Sequence, residues 1–335
     1  MARVLVTGAS GFIAKHIVRQ LLSAGYEVRG SLRDLSRAGE VRAAIGSHDE
    51  DALTFFTADL LSDEGWAESM QEIDAVLHTA SPFPMSRPNK PEKLIKPAVD
   101  GTRRVLRFAQ AEGVRRVVVT SSCVAMMYCE LSEGRLSYSE SDWSDVGNPR
   151  ITPYAVSKTL AERAAWDFVR DEAPDIALTT MNPALVLGPA LDGQYGTSLR
   201  IVERILASKD PALPRFGFAV VDVRDVAAAH LAALERPESA GNRFLLAQRF
   251  IWFREMARIL KVAYPERRIV TRSAPDFAVR LLATFSPAAR SIVASLGRRD
   301  DFNTNAAEEI LGISFRPAEE AVRTAADAII RHAGR

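Results

Sequence analysis

Tyr154-Ala155-Val156-Ser157-Lys158 is the stretch of this 335-residue chain whose spacing points most directly to chemistry. It opens a segment with helical periodicity, and a separation of four puts the phenol and the ammonium on one helix face. A free phenol titrates near pH ~10. A lysine charge about 4 Å away, at an effective dielectric of about 20, is worth at most about 4 kcal/mol, or about 3 pKa units. The spacing therefore predicts a phenol acidified towards working pH, able to protonate an alkoxide that forms as hydride reaches a carbonyl. Lys158 would also fix the ribose next to the nicotinamide that brings the hydride. Ser122, in Thr120-Ser121-Ser122 at the end of an apolar strand, would hydrogen-bond the carbonyl oxygen as its charge develops. A tyrosine–lysine pair at this spacing arises easily by chance. What singles this one out is its place one strand–helix unit after the Ser122 strand and downstream of a glycine turn. Cys123 has no histidine partner and reads as a structural thiol, and His78, inside an apolar strand, reads as a packed side chain.

That turn is Thr7-Gly8-Ala9-Ser10-Gly11-Phe12-Ile13-Ala14, between a β-branched run at 3–6 and a helical period over 12–22. Gly8 permits the turn and Gly11 lets the backbone approach a pyrophosphate. Ser10 belongs to the same cradle, and Phe12 and Ile13 sit where a helix offers unpaired amides to an anion. Ala14 replaces a third glycine and is still small enough for close helix–strand packing. An acidic residue at the tip of strand two would bind a ribose hydroxyl and select NAD. Here the strand ends Gly30-Ser31-Leu32 and Arg33 follows, with Arg37 one turn on. Guanidinium groups suit a 2′-phosphate, so the pattern predicts NADP(H), with the neighbouring Asp34 as a competing signal. Asp59 and Leu60 should contact the adenine; Thr79, Ala80 and Ser81 should line the ribose and nicotinamide.

These residues need a scaffold that brings them to one edge. Strand-like runs at 3–6, 26–32, 53–57, 75–79, 114–120 and 176–181 alternate with helical periods at 12–22, 94–111 and 154–171. This alternation predicts an α/β fold, a Rossmann-type doubly wound parallel sheet whose ligands bind at the carboxyl ends of the strands. The proline-rich stretch 82–91 must be loop. After residue 183 the rhythm breaks, and helical periods at 223–234, 253–263 and 317–330 predict a smaller, mostly helical C-terminal lobe. An amphipathic surface region is expected over 274–296. The expected division is an NADP-binding domain over 1–183, with 215–235 returning to it, and a substrate-binding lobe over most of 184–335.

Composition narrows the partners. Apolar residues at 47% and charged residues at 25% are ordinary for a globular chain, and 43 basic against 42 acidic residues leave a net charge of +1. That balance predicts no nucleic-acid binding and no polybasic membrane anchor. Two cysteines, Cys123 and Cys129, and five scattered histidines predict neither a disulfide framework nor a metal site. With no run of 18 apolar residues and no visible signal peptide, the expected location is the cytoplasm. The expected partner is a small carbonyl or alcohol, and the expected assembly a monomer or homodimer.

The chain resembles the extended short-chain dehydrogenase/reductase superfamily, in its dihydroflavonol-reductase-like branch. That branch includes cinnamoyl-CoA reductases and the yeast and fungal aldehyde, ketone and methylglyoxal-type reductases. The resemblance runs through residues 6–14, His78-Thr79-Ala80-Ser81-Pro82, Thr120-Ser121-Ser122, Tyr138-Ser139-Glu140-Ser141-Asp142-Trp143-Ser144, residues 154–162, residues 182–189 and residues 221–227. It implies NADPH-dependent reduction of an aldehyde or ketone, with Ser122, Tyr154 and Lys158 carrying catalysis and Arg33 and Arg37 as phosphate contacts. It further implies that Pro183, Leu185 and Val186 pack on the nicotinamide and that Ser198 reaches a cofactor phosphate. Phe83, Met126, Tyr128 and Tyr195 would join Ser122 and Tyr154 around the substrate. Asp222 to Asp225 would be structural. Two other readings stay open: an NAD-dependent sugar-nucleotide epimerase or dehydratase, and a non-catalytic NADP sensor.

Overall fold

The computed structural model describes residues 2–47, 49–81 and 91–333. The first half alternates as β1 (Arg3–Thr7), α1 (Phe12–Ser23), β2 (Glu27–Leu32), α2 (Ala38–Ile45), β3 (Leu53–Thr57), α3 (Trp66–Met70), β4 (Ala75–His78), α4 (Glu92–Ala111) and β5 (Arg116–Thr120). It continues with α5 (Pro153–Asp171), β6 (Ala177–Pro183), β7 (Leu185–Leu187), α6 (Thr197–Leu206), β8 (Gly217–Asp222), α7 (Val223–Glu235) and β9 (Arg243–Leu246). The chain closes with β10 (Arg249–Trp252), α8 (Phe253–Ala263), α9 (Asp276–Leu282), α10 (Pro287–Ile292), α11 (Asn305–Glu309) and α12 (Ala318–Ala333).

Seven strands form one parallel sheet in the order β3-β2-β1-β4-β5-β6-β9. Alternate residues of each strand serve opposite faces, because both faces are covered. Val4, Val6, Leu77 and Val118 pack with α1 and α7, whereas Leu5, Val76, Val117 and Val119 pack with α3, α4 and α5. This is the doubly wound arrangement the alternating strand and helix signals predict. The order of sheet neighbours reverses at β1 and β4, so a crevice opens outside their carboxyl ends.

Beyond β6 the structure departs from the boundaries expected of the sequence. Residues 215–235 do not return as one block: only α7 packs on the large sheet, while β8 joins a separate three-stranded sheet, β10-β8-β7. The seventh strand of the large sheet is β9, a short run that pairs with β6 after the turn at Gly241-Asn242. A third core, built from α6, α8, α12 and the small sheet, fills the C-terminal lobe. Asp222 caps α7 by accepting from Arg224 N at 2.8 Å, and α7 is tied to the C-terminal segment where Arg224 Nη2 donates to Glu320 at 2.9 Å and where Asp225 pairs with Arg316. Asp222 and Asp225 are therefore structural, as the resemblance implies. The amphipathic stretch 274–296 resolves into the short helices α9 and α10, which leave Phe277 and Phe285 exposed.

Gly65 shows how the fold builds one wall of the site. Its φ of +78° caps α3, and a Cβ there would lie 1.9 Å from the Thr57 carbonyl oxygen. The turn it allows buries Trp66, whose Nε1 donates to the Asp59 and Ser62 carbonyls at 2.9 and 3.0 Å. Gly65→Ala should destabilise the fold by about 1–3 kcal/mol from backbone strain alone, with the clash added to it. Urea unfolding should show a lowered midpoint with an unchanged slope, and a wild-type midpoint would contradict this account.

Candidate active site

At the crevice the glycine turn and the end of β4 are laced together by Thr7. Its Oγ1 accepts the amides of Thr79 and Ala80, both at 3.1 Å, and shares a 2.8 Å hydrogen bond with His78 Nδ1. Gly8, at φ +65°, gives its amide to Ser31 Oγ at 3.0 Å, and a Cβ on it would press on Ala80 at 3.1 Å. Gly11 starts α1 with no side-chain cap and no acidic residue in the first turn, so the helix amides stay open to an anion. A groove of about 310 Å³ runs past Gly8, Ser10, Gly11, Ser31, Arg33, Asp59, Leu60, Trp66, Thr79, Ala80 and Ser81. The uncapped amides, the glycine cradle and the length of this groove fit a dinucleotide.

Arg33 stands exposed at the groove with its neighbour's competing signal removed. The Asp34 carboxylate accepts from Ser36 N at 2.9 Å and caps a short turn, and Asp34 does not line the groove. Arg37 departs from expectation. It is held by Glu40 and by Gln194 of the C-terminal lobe, and it does not line the groove. The side chains of Phe12 and Ile13 pack against the cores and do not line the groove, and the Phe12 ring meets His16 edge-on at 5.8 Å.

A second cavity, of about 260 Å³, opens beside the first and holds Ser122, Tyr154, Tyr128, Met127, Leu185 and Ser198 in its wall. Thr152 caps α5 by accepting from Ala155 N at 3.2 Å, and Pro153 occupies the first helical turn, so Tyr154 projects from the start of the helix. Ser122 leaves β5 in extended conformation and hydrogen-bonds the Tyr154 phenol. Lys158 Nζ donates to the Thr120 carbonyl at 3.3 Å. Burial dominates both titrations: it pushes the Tyr154 phenol up to about 12, against the lowering effect of Ser122, and brings the Lys158 ammonium down to about 8. This corrects the acidified phenol that spacing alone predicts. Desolvation is the largest influence on the phenol, and the lysine ammonium is held on the Thr120 carbonyl.

Glu162, one further turn along α5, is the functional residue that spacing did not single out. Its buried carboxylate accepts from Ser121 Oγ, from Thr180 Oγ1 at 3.0 Å, from Asn182 Nδ2 at 2.7 Å and from Arg243 Nε at 2.7 Å. Its charge works against burial to hold Lys158 protonated. A periodicity of four from Tyr154 through Lys158 to Glu162 was the available signal.

The other expected residues divide. Tyr128 and Leu185 line the second cavity, while Pro183 is buried at the end of β6 and Val186 lies in the main core. Met126 is 0% exposed and fills the core under the turn at 123–125, and Met127 takes the wall position instead. Tyr195 packs on the C-terminal core and does not line the cavity. Ser198 lies in the first turn of α6 on the Tyr154 side, not on the glycine-turn groove that would hold a phosphate. Phe83 lies outside the described residues. His78 is packed, with burial lowering it to about 3, and Cys123 is a buried thiol raised to about 12 by the same cause. No cluster of metal-ligating side chains occurs among the described residues.

The pattern of the NAD dependent epimerase/dehydratase family matches residues 4–247. Cinnamoyl-CoA reductase 1 of Petunia hybrida is 36% identical over 273 residues, covering 80% of this chain and 79% of that protein. An uncharacterized oxidoreductase of Saccharomyces cerevisiae is 31% identical over 99% of this chain and 98% of its own length. Among solved structures, yeast methylglyoxal/isovaleraldehyde reductase Gre2 complexed with NADPH superposes with a TM-score of 0.82 at 28% identity, covering 99% of each chain.

The burial of Lys158 yields a direct test. In a heteronuclear NMR titration its ammonium should lose its proton near pH 8, the value its surroundings impose. The charge is present below that midpoint and lost above it. A midpoint at the ordinary lysine value of about 10.4 would contradict the described environment.

Proposed function

The chain belongs to the NAD dependent epimerase/dehydratase family, and we propose that it is an NADPH-dependent reductase of aldehydes or ketones, acting at the carbonyl to give the alcohol. Reduction needs one hydride at carbon and one proton at oxygen, and a bound nicotinamide supplies the hydride. The observation that carries the reading is the Ser122–Tyr154 hydrogen bond on the wall of a largely apolar cavity beside the dinucleotide groove. Ser122 positions the carbonyl oxygen. Tyr154, kept protonated by burial, donates the proton to it. Lys158, charged at neutral pH, stabilises the phenolate left behind and orients the ribose. Arg33 selects the 2′-phosphate, since Asp34 is occupied with its own turn. The named activities of the relatives, on cinnamoyl-CoA and on methylglyoxal, support a carbonyl substrate.

Oxidation of NADPH on addition of a panel of aldehydes and ketones tests this directly. Turnover of a UDP-sugar without net cofactor change would instead favour an epimerase, and cofactor binding without turnover would favour a sensor. Tyr154→Phe should lower kcat/KM by about 10²–10⁴-fold and leave NADPH affinity within a few-fold. Near wild-type rates in that variant would remove Tyr154 as the acid. Arg33→Ala should raise the KM for NADPH about tenfold or more, the loss of one charge-assisted contact, with little change for NADH. Equal losses with the two cofactors would contradict its role.

A further inference from the structure

The far wall of the Tyr154 cavity carries an ion pair that no step above uses. Arg298 Nε lies 2.5 Å from Asp300 Oδ1, with side-chain exposures of only 18% and 13%. Arg298 Nη2 donates to the Met127 carbonyl at 2.8 Å and to Tyr138 Oη at 2.7 Å. Two of the three guanidinium nitrogens are therefore fixed by the protein. Among the described residues Nη1 has no hydrogen-bond partner, and Arg298 and Asp300 line the same cavity as Ser122 and Tyr154. The surrounding wall is aromatic, with Phe216, Phe218, Phe250 and Phe302.

A donor edge held rigid in an apolar cavity is satisfied only by an acceptor brought in from outside. Asp300 sets which acceptor suits it. With the carboxylate against Nε, the pair presents a donor without net charge. A ligand carboxylate would shed its hydration for a dipole and meet the Asp300 charge as well. An ester, ether or second carbonyl oxygen loses far less hydration and accepts the same hydrogen bond.

Resting on the reductase reading, we propose that Arg298 is the specificity-determining residue of this site. Its Nη1 donates to an uncharged oxygen carried, away from the reacting carbon, on an aromatic carbonyl substrate, and Asp300 turns carboxylate-bearing analogues away.

Three ketones with one reacting group test it: methyl 4-acetylbenzoate, 4-acetylbenzoate and 4-isopropylacetophenone, each reduced with NADPH. Comparing substrate ratios between variants cancels the different intrinsic reactivities of the ketones. Arg298→Met should lower kcat/KM for the ester about tenfold, the loss of one hydrogen bond to a charged donor, and leave the isopropyl ketone within about threefold. Asp300→Asn, which keeps the side-chain shape, should raise the carboxylate-to-ester ratio about tenfold by freeing the Arg298 charge. Equal losses on all three ketones in Arg298→Met would mean a merely structural arginine and would overturn the proposal. So would an unchanged ratio in Asp300→Asn, which decides the matter if Arg298→Met fails to fold. A wild-type enzyme that reduces other carbonyls but none of these three overturns the proposal and leaves the reductase reading standing. Failure with every carbonyl compound sinks that reading, and this inference with it.

Discussion

Lys158 stands half-buried near the end of β5, where loss of water works against its charge and a wholly buried carboxylate works for it. Moving an ion out of water costs several kcal/mol even after relaxation, and loss of water brings the Lys158 ammonium down to about 8. The Thr120 carbonyl and the Glu162 carboxylate work in the opposite direction. Glu162 is itself wholly buried, so it needs partners of its own, and it takes them from three adjacent strands: Ser121 at the end of β5, Thr180 and Asn182 on β6, and Arg243 on β9. Arg243 in turn stacks on the Trp143 ring, 3.6 Å from its centroid. The charge beside Tyr154 thus depends on the register of the sheet's last three strands, and the short β9 has an electrostatic role as well as a structural one.

The dinucleotide side is organised by hydrogen bonds instead of charge. Thr7 locks the glycine turn to the end of β4, and Ser31 anchors the same turn to β2. A loop of the C-terminal lobe then clasps the helices that follow. Asp192 pairs with the buried Lys15, the Pro189 carbonyl accepts from His16 Nε2 at 2.8 Å, and Gln194 meets Arg37. Arg37 thus bridges Glu40 and Gln194 beside the groove that Arg33 lines. The groove takes residues from the carboxyl ends of β1 and β4, and the Tyr154 cavity takes Ser122 from beyond the carboxyl end of β5, the strand next to β4.

Likeness to relatives is a statement about this frame. The yeast Gre2 structure and this chain share it over nearly their full lengths at 28% identity. The resemblance to the extended short-chain dehydrogenase/reductases is borne out by the family match and by the cinnamoyl-CoA reductases. The segment over 265–300 supplies Ser295, Arg298 and Asp300 to the cavity wall. The wall is thus drawn from two sources: residues on or beside the regular elements, such as Tyr154, Leu185 and Phe218, and residues of the irregular stretch after α10.

The sequence by itself determined the alternating elements, the glycine turn, the place of Ser122 just past β5 and the shared helix face of Tyr154 and Lys158. All of these rest on local rules: strand and helix periods, an uncapped helix start, and a separation of four on one helix face. Tertiary structure decided whatever depends on residues far apart in the chain. It turned Met126 inward and Met127 outward, sent Arg37 to Gln194, placed Ser198 in the Tyr154 cavity and supplied β9 as the seventh strand. It also decided the protonation of the pair at the centre. Spacing fixes which helix face an ammonium and a phenol share, but how much water each has lost is set by the packing around them, and here that loss is the largest influence on both.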